Sequence, residues 1–307
     1  MIPMMKREGY HADYAVNVTT HAALVGALMP TSHNIIIYTL AAGGKVSIAA
    51  LIAAGVVPAL ILTACNLAAA YFVARSRGYP AGTFPGWHIV FRSLVAAAPG
   101  LFVVVLIIAG ILSGVFTATE SAAVAVLYAL ALTIFVYRSL TWDQFVRAAS
   151  KAVKTTGVVL LLIGISATFG YLISFYGVAE KTGQLMASIS TEPWAIFLMV
   201  NIILFVLGTF LDMAATILIC TPIFLPICMQ YGMGPVQFGM VLLLNCALGL
   251  NTPPVGTTQF VGCAIGGVSV GTVMRTIWPF YGALLAALAL VTYVPAFSLW
   301  LPGVLLN

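Results

Sequence analysis

The stretch Asn251–Gly256 interrupts a long apolar run with two adjacent prolines and a glycine. Pro253 and Pro254 have no backbone N–H, and the residue before a proline is biased away from helical geometry, so a helix through this point loses hydrogen bonds. Inside a bilayer such a break is tolerated only where protein or a water-filled cavity covers the freed polar groups, and it often marks a substrate or ion site. We predict one membrane crossing, about residues 236–266, made of two half-helices. A proline kink that only shapes the bundle is the alternative.

Composition places the whole chain in a membrane. Of its 307 residues, 62% are hydrophobic and only 6% are charged, whereas a soluble domain carries about 25% charged residues. The apolar runs are about 20 residues long, which predicts an all-α helical bundle rather than a β-barrel. The net charge of +5 does not indicate a nucleic-acid partner, because the basic residues cluster between the apolar runs as in cytoplasmic loops. The five cysteines show no metal-ligand spacing.

A second broken crossing is predicted near the start of the chain. Residues 12–43 are largely apolar but are interrupted at Pro30–Asn34. As one helix this stretch would be about 48 Å long, which exceeds a hydrocarbon core of about 30 Å. It is therefore interpreted as two half-helices around a non-helical centre.

A polar point also divides the apolar stretch 194–229. We predict a helical hairpin that enters the membrane and turns back, with its tip at Gly208–Asp212. Asp212 is an acid inside an apolar segment, which is costly and therefore suggests a function. The alternative is a full crossing in which the Asp212 carboxylate caps a helix.

The other segments follow from apolar length, charge and turn residues. Further spans are predicted at about 47–74, 93–113, 119–137, 155–176 and 277–300. Thr117 and Glu120 fit a capping box, residues 139–154 predict a short helix parallel to the membrane, and residues 177–192 predict a polar loop. We expect four regions: the end of a first repeat (1–76), a cytoplasmic linker (77–92), scaffold-like spans with an interfacial arm (93–176) and a second repeat (177–307).

The two broken segments are related by an internal repeat. A constant shift of 223 residues superposes the glycines and prolines of residues 2–44 on residues of the same type, pairing for example Gly9 with Gly232 and Pro30 with Pro253. Glycine and proline set backbone breaks, so they are what a structural repeat retains. If the basic clusters face the cytoplasm, the two copies run in opposite directions. That arrangement is an inverted-topology repeat, which is typical of secondary transporters.

Several long motifs resemble a known family. They read GVFTATESAAVAVLYAL, LGTFLDMAATILICTPIFLPI and YGMGPVQFGMVLLLNCALGLNTPPVG, preceded by PTSHNIIIY. Together they are similar to the large membrane subunit of TRAP transporters, the DctM-type permease, over essentially the whole chain. The resemblance implies sodium symport of organic acids such as C4-dicarboxylates by an elevator mechanism in the bacterial inner membrane. It also implies two partners, a small four-helix membrane subunit and a periplasmic substrate-binding protein.

The chain departs from the family pattern at two places. The family has a further upstream segment with a first re-entrant hairpin, whereas this chain starts at Met1-Ile2-Pro3. A truncated, transport-incompetent subunit or assembly partner is therefore the alternative, and we expect uptake only with the upstream segment restored. The first break reads Pro30-Thr31-Ser32 where the family usually has Pro-Pro-Ser.

Site residues are predicted from the breaks and the hairpin tip, because sodium needs oxygen ligands and non-helical backbone offers free carbonyls. The predicted sodium ligands are Gly208, Thr209, Asp212, Asn251, Thr252, Pro253, Val255 and Gly256. The predicted substrate-binding residues are Pro30, Thr31, Ser32, His33, Asn34, Thr257 and Thr258. Half-helix N-termini after each break would present positive dipole ends to a carboxylate. Sodium is the only metal and the only coupling ion expected, with no other cofactor.

Enzymatic function is disfavoured because no nucleophile and base stand at helical spacing in the spans, so we predict a transporter and not an enzyme. A passive channel is a further alternative.

Overall fold

The computed structural model describes residues 1–29, 32–44, 46–79 and 86–306. Regular structure within these ranges is helical throughout. The chain forms two compact units, one of residues 1–79 and 164–307 and one of residues 80–163. Six described helices are long and apolar enough to cross a membrane, or seven spans if one bent pair counts as a single span. The prediction of an all-α membrane protein is confirmed.

The helices follow one another with short connections. The larger unit contains α1 (Ile2–Arg7), α2 (Ala12–Leu24), α3 (His33–Ala41), α4 (Ile48–Ser76), α8 (Val178–Ile189), α9 (Pro193–Phe210), α10 (Met213–Gln230), α11 (Pro235–Leu250), α12 (Thr257–Gly266), α13 (Val270–Arg275), α14 (Trp278–Tyr293) and α15 (Ala296–Leu305). The smaller unit contains α5 (Trp87–Leu112), α6 (Ala118–Ala131) and the first part of α7 (Trp142–Phe175). A 3₁₀ turn, Val25–Ala27, follows α2, and a π-helical turn, Leu132–Val136, extends α6.

Both broken segments have the predicted form. The second consists of α11 and α12, separated by the non-helical residues 251–256. The first consists of α2 with its 3₁₀ turn, which ends at Ala27, and α3, which begins at His33. Pro30 and Thr31 lie outside the described residues.

The backbone repeats with the shift found in the sequence. Helix α2 starts at residue 12 and α11 at residue 235. The loop before each contains a glycine of almost equal backbone angle, with φ of 89° at Gly9 and 93° at Gly232, a region that favours glycine. Packing is reciprocal as well, because α3 packs on α10 while α12 packs on α1, the counterpart of the end of α10. This pattern is expected of two copies related by an approximate two-fold axis.

Helices α9 and α10 form a hairpin whose turn is shorter than predicted, and each is long and apolar enough to cross a membrane, so re-entry stays a prediction. Helices α9 and α10 have 18 residues each and are joined by Leu211 and Asp212. Gly208 and Thr209 belong to the last turn of α9, so they are not part of a non-helical tip. The hydrogen bond from the Leu211 N–H to the Leu207 carbonyl continues the helix to this point.

Two other predictions of local structure are wrong, and the last span shows a bend. Residues 177–192 are predicted as a polar loop, but most of them form helix α8. The helix follows Gly177, which is left-handed with φ of 61°, and it buries Met186. The helix expected parallel to the membrane and the span after it form one 34-residue helix, α7. The last span bends by 59° between α14 and α15, where Pro295 cannot donate a backbone hydrogen bond. The capping box at Thr117 and Glu120 is confirmed.

Helix α11 is the centre of the larger unit. Every residue from Gln237 to Gly249 is buried, and the helix packs against α4, α9, α10 and α14. Such complete burial explains why its sequence is apolar on all sides. The break that ends α11 is consequently held by several elements at once.

Candidate functional site

The second break is fixed at its first residues by hydrogen bonds. The Tyr281 hydroxyl on α14 donates to the Asn251 carbonyl oxygen over 2.9 Å and lies 3.0 Å from Thr252 Oγ1. The Thr252 hydroxyl donates to the Leu248 carbonyl over 2.7 Å. Among the other predicted ligands, Pro253 is half-buried, Val255 is exposed, and Gly256 is buried at the N-cap of α12. The start of the break is therefore more tightly held than its middle.

The side chain of Asn251 has no partner in the described structure. The residue is completely buried, and both its Nδ2 and its Oδ1 lack a hydrogen bond to any described residue. A buried amide without partners is costly, and native proteins rarely leave one unsatisfied. This position therefore suits a bound ion, water or substrate group.

The end of the hairpin's first arm contacts the second broken segment just before its break. A Cβ placed on Gly249 would stand 2.2 Å from the Gly208 carbonyl oxygen, so the two helix backbones touch there. Thr209 is buried and its hydroxyl donates to the Val206 carbonyl over 2.7 Å. The last turn of α9 thus lies against the residues that immediately precede the break.

Asp212 caps the start of helix α10, which is one of the two roles that the sequence suggests for it. Its Oδ2 accepts from the Ala214 N–H over 3.2 Å at the start of α10. The residue is exposed, so the membrane segment does not bury this charge within the protein. The cap does not use both carboxylate oxygens, and an additional role in ion binding stays a prediction.

The first break ends at a polar helix start. Ser32 caps α3 by accepting from the Asn34 N–H over 3.4 Å, and the Asn34 side chain donates to the same oxygen over 3.2 Å. The Asn34 Oδ1 is buried and has no partner among the described residues. His33 is exposed at the first position of α3.

A cavity of about 310 Å³ joins parts of both broken segments and the hairpin. Its lining consists of Ala23, Leu24, Gly26, Ala27, Ser32, His33, Asn34, Met213, Leu250 and Thr258. Four predicted substrate-binding residues therefore share one cavity, while Thr257 is exposed at the start of α12 outside this lining. Helices α3 and α12 both begin at the cavity wall, so their positive dipole ends lie near it.

A buried chain of amides connects the hairpin to the last span. The Asn245 amide donates to Asn201 Oδ1 over 2.7 Å, and the Asn201 amide donates to Thr292 Oγ1 over 3.2 Å. These three residues lie on α11, α9 and α14. These side-chain hydrogen bonds therefore connect the first arm of the hairpin to the second broken segment.

Several of these site residues were absent from the sequence prediction. Gly249 had a usable signal, since the repeat pairs it with Gly26 at the first break. Tyr281, Asn201 and Asn245 had none, because their partners are far away in the sequence and become visible only when helices are packed. Within the described residues, no group of three His, Cys, Asp or Glu side chains could hold a metal ion.

A separate, larger cavity of about 610 Å³ lies among the end of α7, α8 and α10. Its polar lining includes Glu180, Gln184 and Gln230. None of the predicted site residues lines it.

Comparison with known proteins identifies the family. The model of the DctM component of the tripartite ATP-independent periplasmic (TRAP) transporters matches residues 1–297. The chain belongs to the DctM family. The resemblance inferred from the motifs is therefore confirmed, and the protein is a multi-pass transporter permease rather than an enzyme.

Individual relatives cover almost the whole chain. It is 37% identical to the uncharacterized protein YgiK of Salmonella typhimurium over 98% of the chain and 69% of the relative. It is 35% identical to the C4-dicarboxylate TRAP transporter large permease protein DctM of Pseudomonas aeruginosa, over 97% of the chain and 70% of the relative. It is 34% identical to the sialic acid TRAP transporter large permease protein SiaM of Vibrio cholerae, over 100% of the chain and 71% of the relative.

Proposed function

We propose that this DctM-type permease takes up small organic acids by sodium symport across the bacterial inner membrane. In this proposal it acts with a small membrane subunit and a periplasmic substrate-binding protein, as its family implies. The observation that carries the proposal is the cavity of about 310 Å³ that joins both broken segments and the hairpin. In transporters with inverted repeats, substrate and coupling ions bind between the two copies at such breaks.

The chemistry of the cavity favours an anionic substrate. Two helices of nine and ten residues, α3 and α12, begin at its wall, and their N-termini offer positive partial charge and free N–H groups. The lining contains no Asp or Glu, so no acidic side chain would repel a carboxylate there. Two relatives are named for C4-dicarboxylates and sialic acid, and both substrates are carboxylic acids.

The second break favours a small hard cation beside that substrate. Asn251 Oδ1 has no described partner, while the Asn251 carbonyl and Thr252 Oγ1 are held in place by Tyr281. Oxygen atoms of this kind suit a hard cation. A cation here would also satisfy the buried amide oxygen, and the positive charge would stay close to the incoming carboxylate.

Transport by the purified complex tests the proposal. The complete permease, its small subunit and its binding protein are reconstituted into liposomes with an inward sodium gradient, and uptake of labelled succinate and sialic acid is measured. We expect accumulation of an organic acid that stops when a sodium ionophore collapses the gradient. A potassium gradient of equal size is the control. Equal uptake under both gradients would contradict sodium coupling, and uptake of neither acid nor of related organic acids would contradict the substrate class.

A further inference from the structure

A single hydroxyl, that of Tyr281, contacts the first two residues of the second break. The residue is only 9% exposed, and its hydroxyl oxygen lies 2.9 Å from the Asn251 carbonyl oxygen and 3.0 Å from Thr252 Oγ1. Neighbouring rings restrict its own movement, with ring centroids at 6.0 Å for His21 and 6.2 Å for Trp278. Tyr281 therefore connects a rigid part of α14 to non-helical backbone.

The direction of the hydrogen bonds shows what the hydroxyl does. The Thr252 hydroxyl proton is used on the Leu248 carbonyl, so Thr252 Oγ1 presents lone pairs towards Tyr281. The one proton of Tyr281 is then directed at the Asn251 carbonyl and Thr252 Oγ1 together. Each of these oxygens keeps a lone pair, because an oxygen acceptor offers two. Tyr281 orients both atoms without consuming their capacity to bind a cation.

The described residues of the first break show a different kind of support. Within the repeat, the shift of 223 residues pairs Asn251 with Leu28. There the backbone itself fills the space, since a Cβ on Gly55 would stand 2.3 Å from the Leu28 carbonyl oxygen. The two breaks are thus supported differently, by close backbone packing in the first copy and by a side-chain hydroxyl in the second.

We propose that Tyr281 is a positioning residue that sets the sodium affinity of the second break by fixing the Asn251 carbonyl and Thr252 Oγ1. This inference rests on the proposed sodium symport. It does not require Tyr281 to touch the ion, because its oxygen acts through the two atoms it orients. Loss of the hydroxyl should weaken sodium binding without slowing the transport cycle at saturating sodium.

Tyr281→Phe tests the proposal because it removes the hydroxyl and keeps the ring. The matched control is Tyr14→Phe, since Tyr14 is also buried and its hydroxyl donates to a backbone carbonyl, that of Ala70, over 3.0 Å. Uptake by the reconstituted complex is measured over a range of sodium concentrations. We expect Tyr281→Phe to raise the half-maximal sodium concentration about fivefold, the effect of one lost hydrogen bond, with a maximal rate close to wild type. An unchanged half-maximal concentration, or an equal shift in Tyr14→Phe, would overturn the proposal.

Amide hydrogen exchange separates this inference from the proposed function. In the purified proteins without substrate, exchange in the peptide containing residues 245–262 should be faster in Tyr281→Phe than in wild type and unchanged in Tyr14→Phe. If uptake by the wild-type protein did not depend on sodium, the proposed sodium symport would be wrong. The exchange result would then decide by itself whether Tyr281 fixes the backbone of the break. Unchanged exchange in Tyr281→Phe would overturn the positioning role whatever the coupling ion.

Discussion

The carbonyl oxygen of Gly208 lies 2.2 Å from the position that a Cβ would occupy on Gly249. Gly208 ends the first arm of the hairpin and Gly249 stands two residues before the second break, so this contact brings two predicted parts of the site together. Small residues allow helices in a membrane to approach this closely. The Asn201–Asn245 hydrogen bond, at 2.7 Å, holds the same two helices together one turn earlier on α11 and two turns earlier on α9.

Gly249→Ala should separate the hairpin from the broken helix. The added methyl group cannot be accommodated unless backbone moves, and overpacking of this kind costs about 1–3 kcal/mol. We expect a lower thermal stability of the purified protein in detergent and severely reduced uptake. The control is Gly282→Ala on α14, where nothing lies within 4 Å of the new Cβ and alanine favours a helix. Wild-type uptake by Gly249→Ala would show that this contact does not position the hairpin.

How much the sequence predicts depends on the kind of residue. Gly9 and Gly232 were found by their repeat because backbone conformation requires glycine at both places, with φ near +90°. The turn at Leu211 was placed too early because Gly208 resembles a turn residue, whereas its role is to allow a close helix contact. A glycine selected for packing and a glycine selected for conformation look alike in a sequence.

Thr252→Val should lower sodium affinity because it removes an oxygen and keeps the branched shape. Thr252 is half-buried, and loss of one of its hydrogen bonds costs about 1 kcal/mol, so the half-maximal sodium concentration should rise about fivefold. The control is Thr221→Val on α10, where a buried hydroxyl makes the same kind of bond, to the Ile217 carbonyl over 2.6 Å, away from the breaks. Sodium titrations of uptake, normalised to the amount of folded protein, compare the two variants. Equal sodium curves for both would favour a purely structural role for Thr252.

Reporter fusions test the orientation that underlies the inverted repeat. Between Lys154 and Glu180 the chain has no charged residue, and this stretch is long enough to cross a bilayer. By the positive-inside rule, fusions at Arg77 and Arg147 should report the cytoplasm, and a fusion at Lys181 should report the periplasm. A cytoplasmic signal at Lys181 would contradict the opposite orientation of the two copies.

Part of the cavity lining could not be predicted from the sequence, because it depends on which helices meet in space. Ser32, His33, Asn34 and Thr258 were proposed from their positions beside a break, and the structure places all four around one cavity. Met213 and Leu250 complete that cavity, yet neither differs in type from dozens of apolar residues elsewhere. Their role follows from where the hairpin and α11 end in space, which periodicity along the chain does not determine.

Asn34→Asp should repel an anionic substrate. A carboxylate in the first turn of α3 interacts favourably with the helix dipole, but Asn34 is only 6% exposed and a buried charge is costly, so uptake is normalised to the amount of folded protein. A like charge about 4 Å away near a protein surface costs about 4 kcal/mol, which is more than the roughly 1 kcal/mol of one neutral hydrogen bond. We therefore expect the KM for an organic acid to rise at least tenfold in Asn34→Asp.

Asn34→Leu at the same position separates charge from hydrogen bonding. It removes the amide that donates to Ser32 and the unpaired Oδ1, but it adds no charge. Its KM should rise only a few-fold if repulsion is the main effect of the aspartate. Concentration-dependent uptake at saturating sodium measures both values. If both variants raise the KM equally, Asn34 contributes a hydrogen bond and the substrate's carboxylate binds elsewhere. If both variants keep the wild-type KM, the substrate binds outside this cavity.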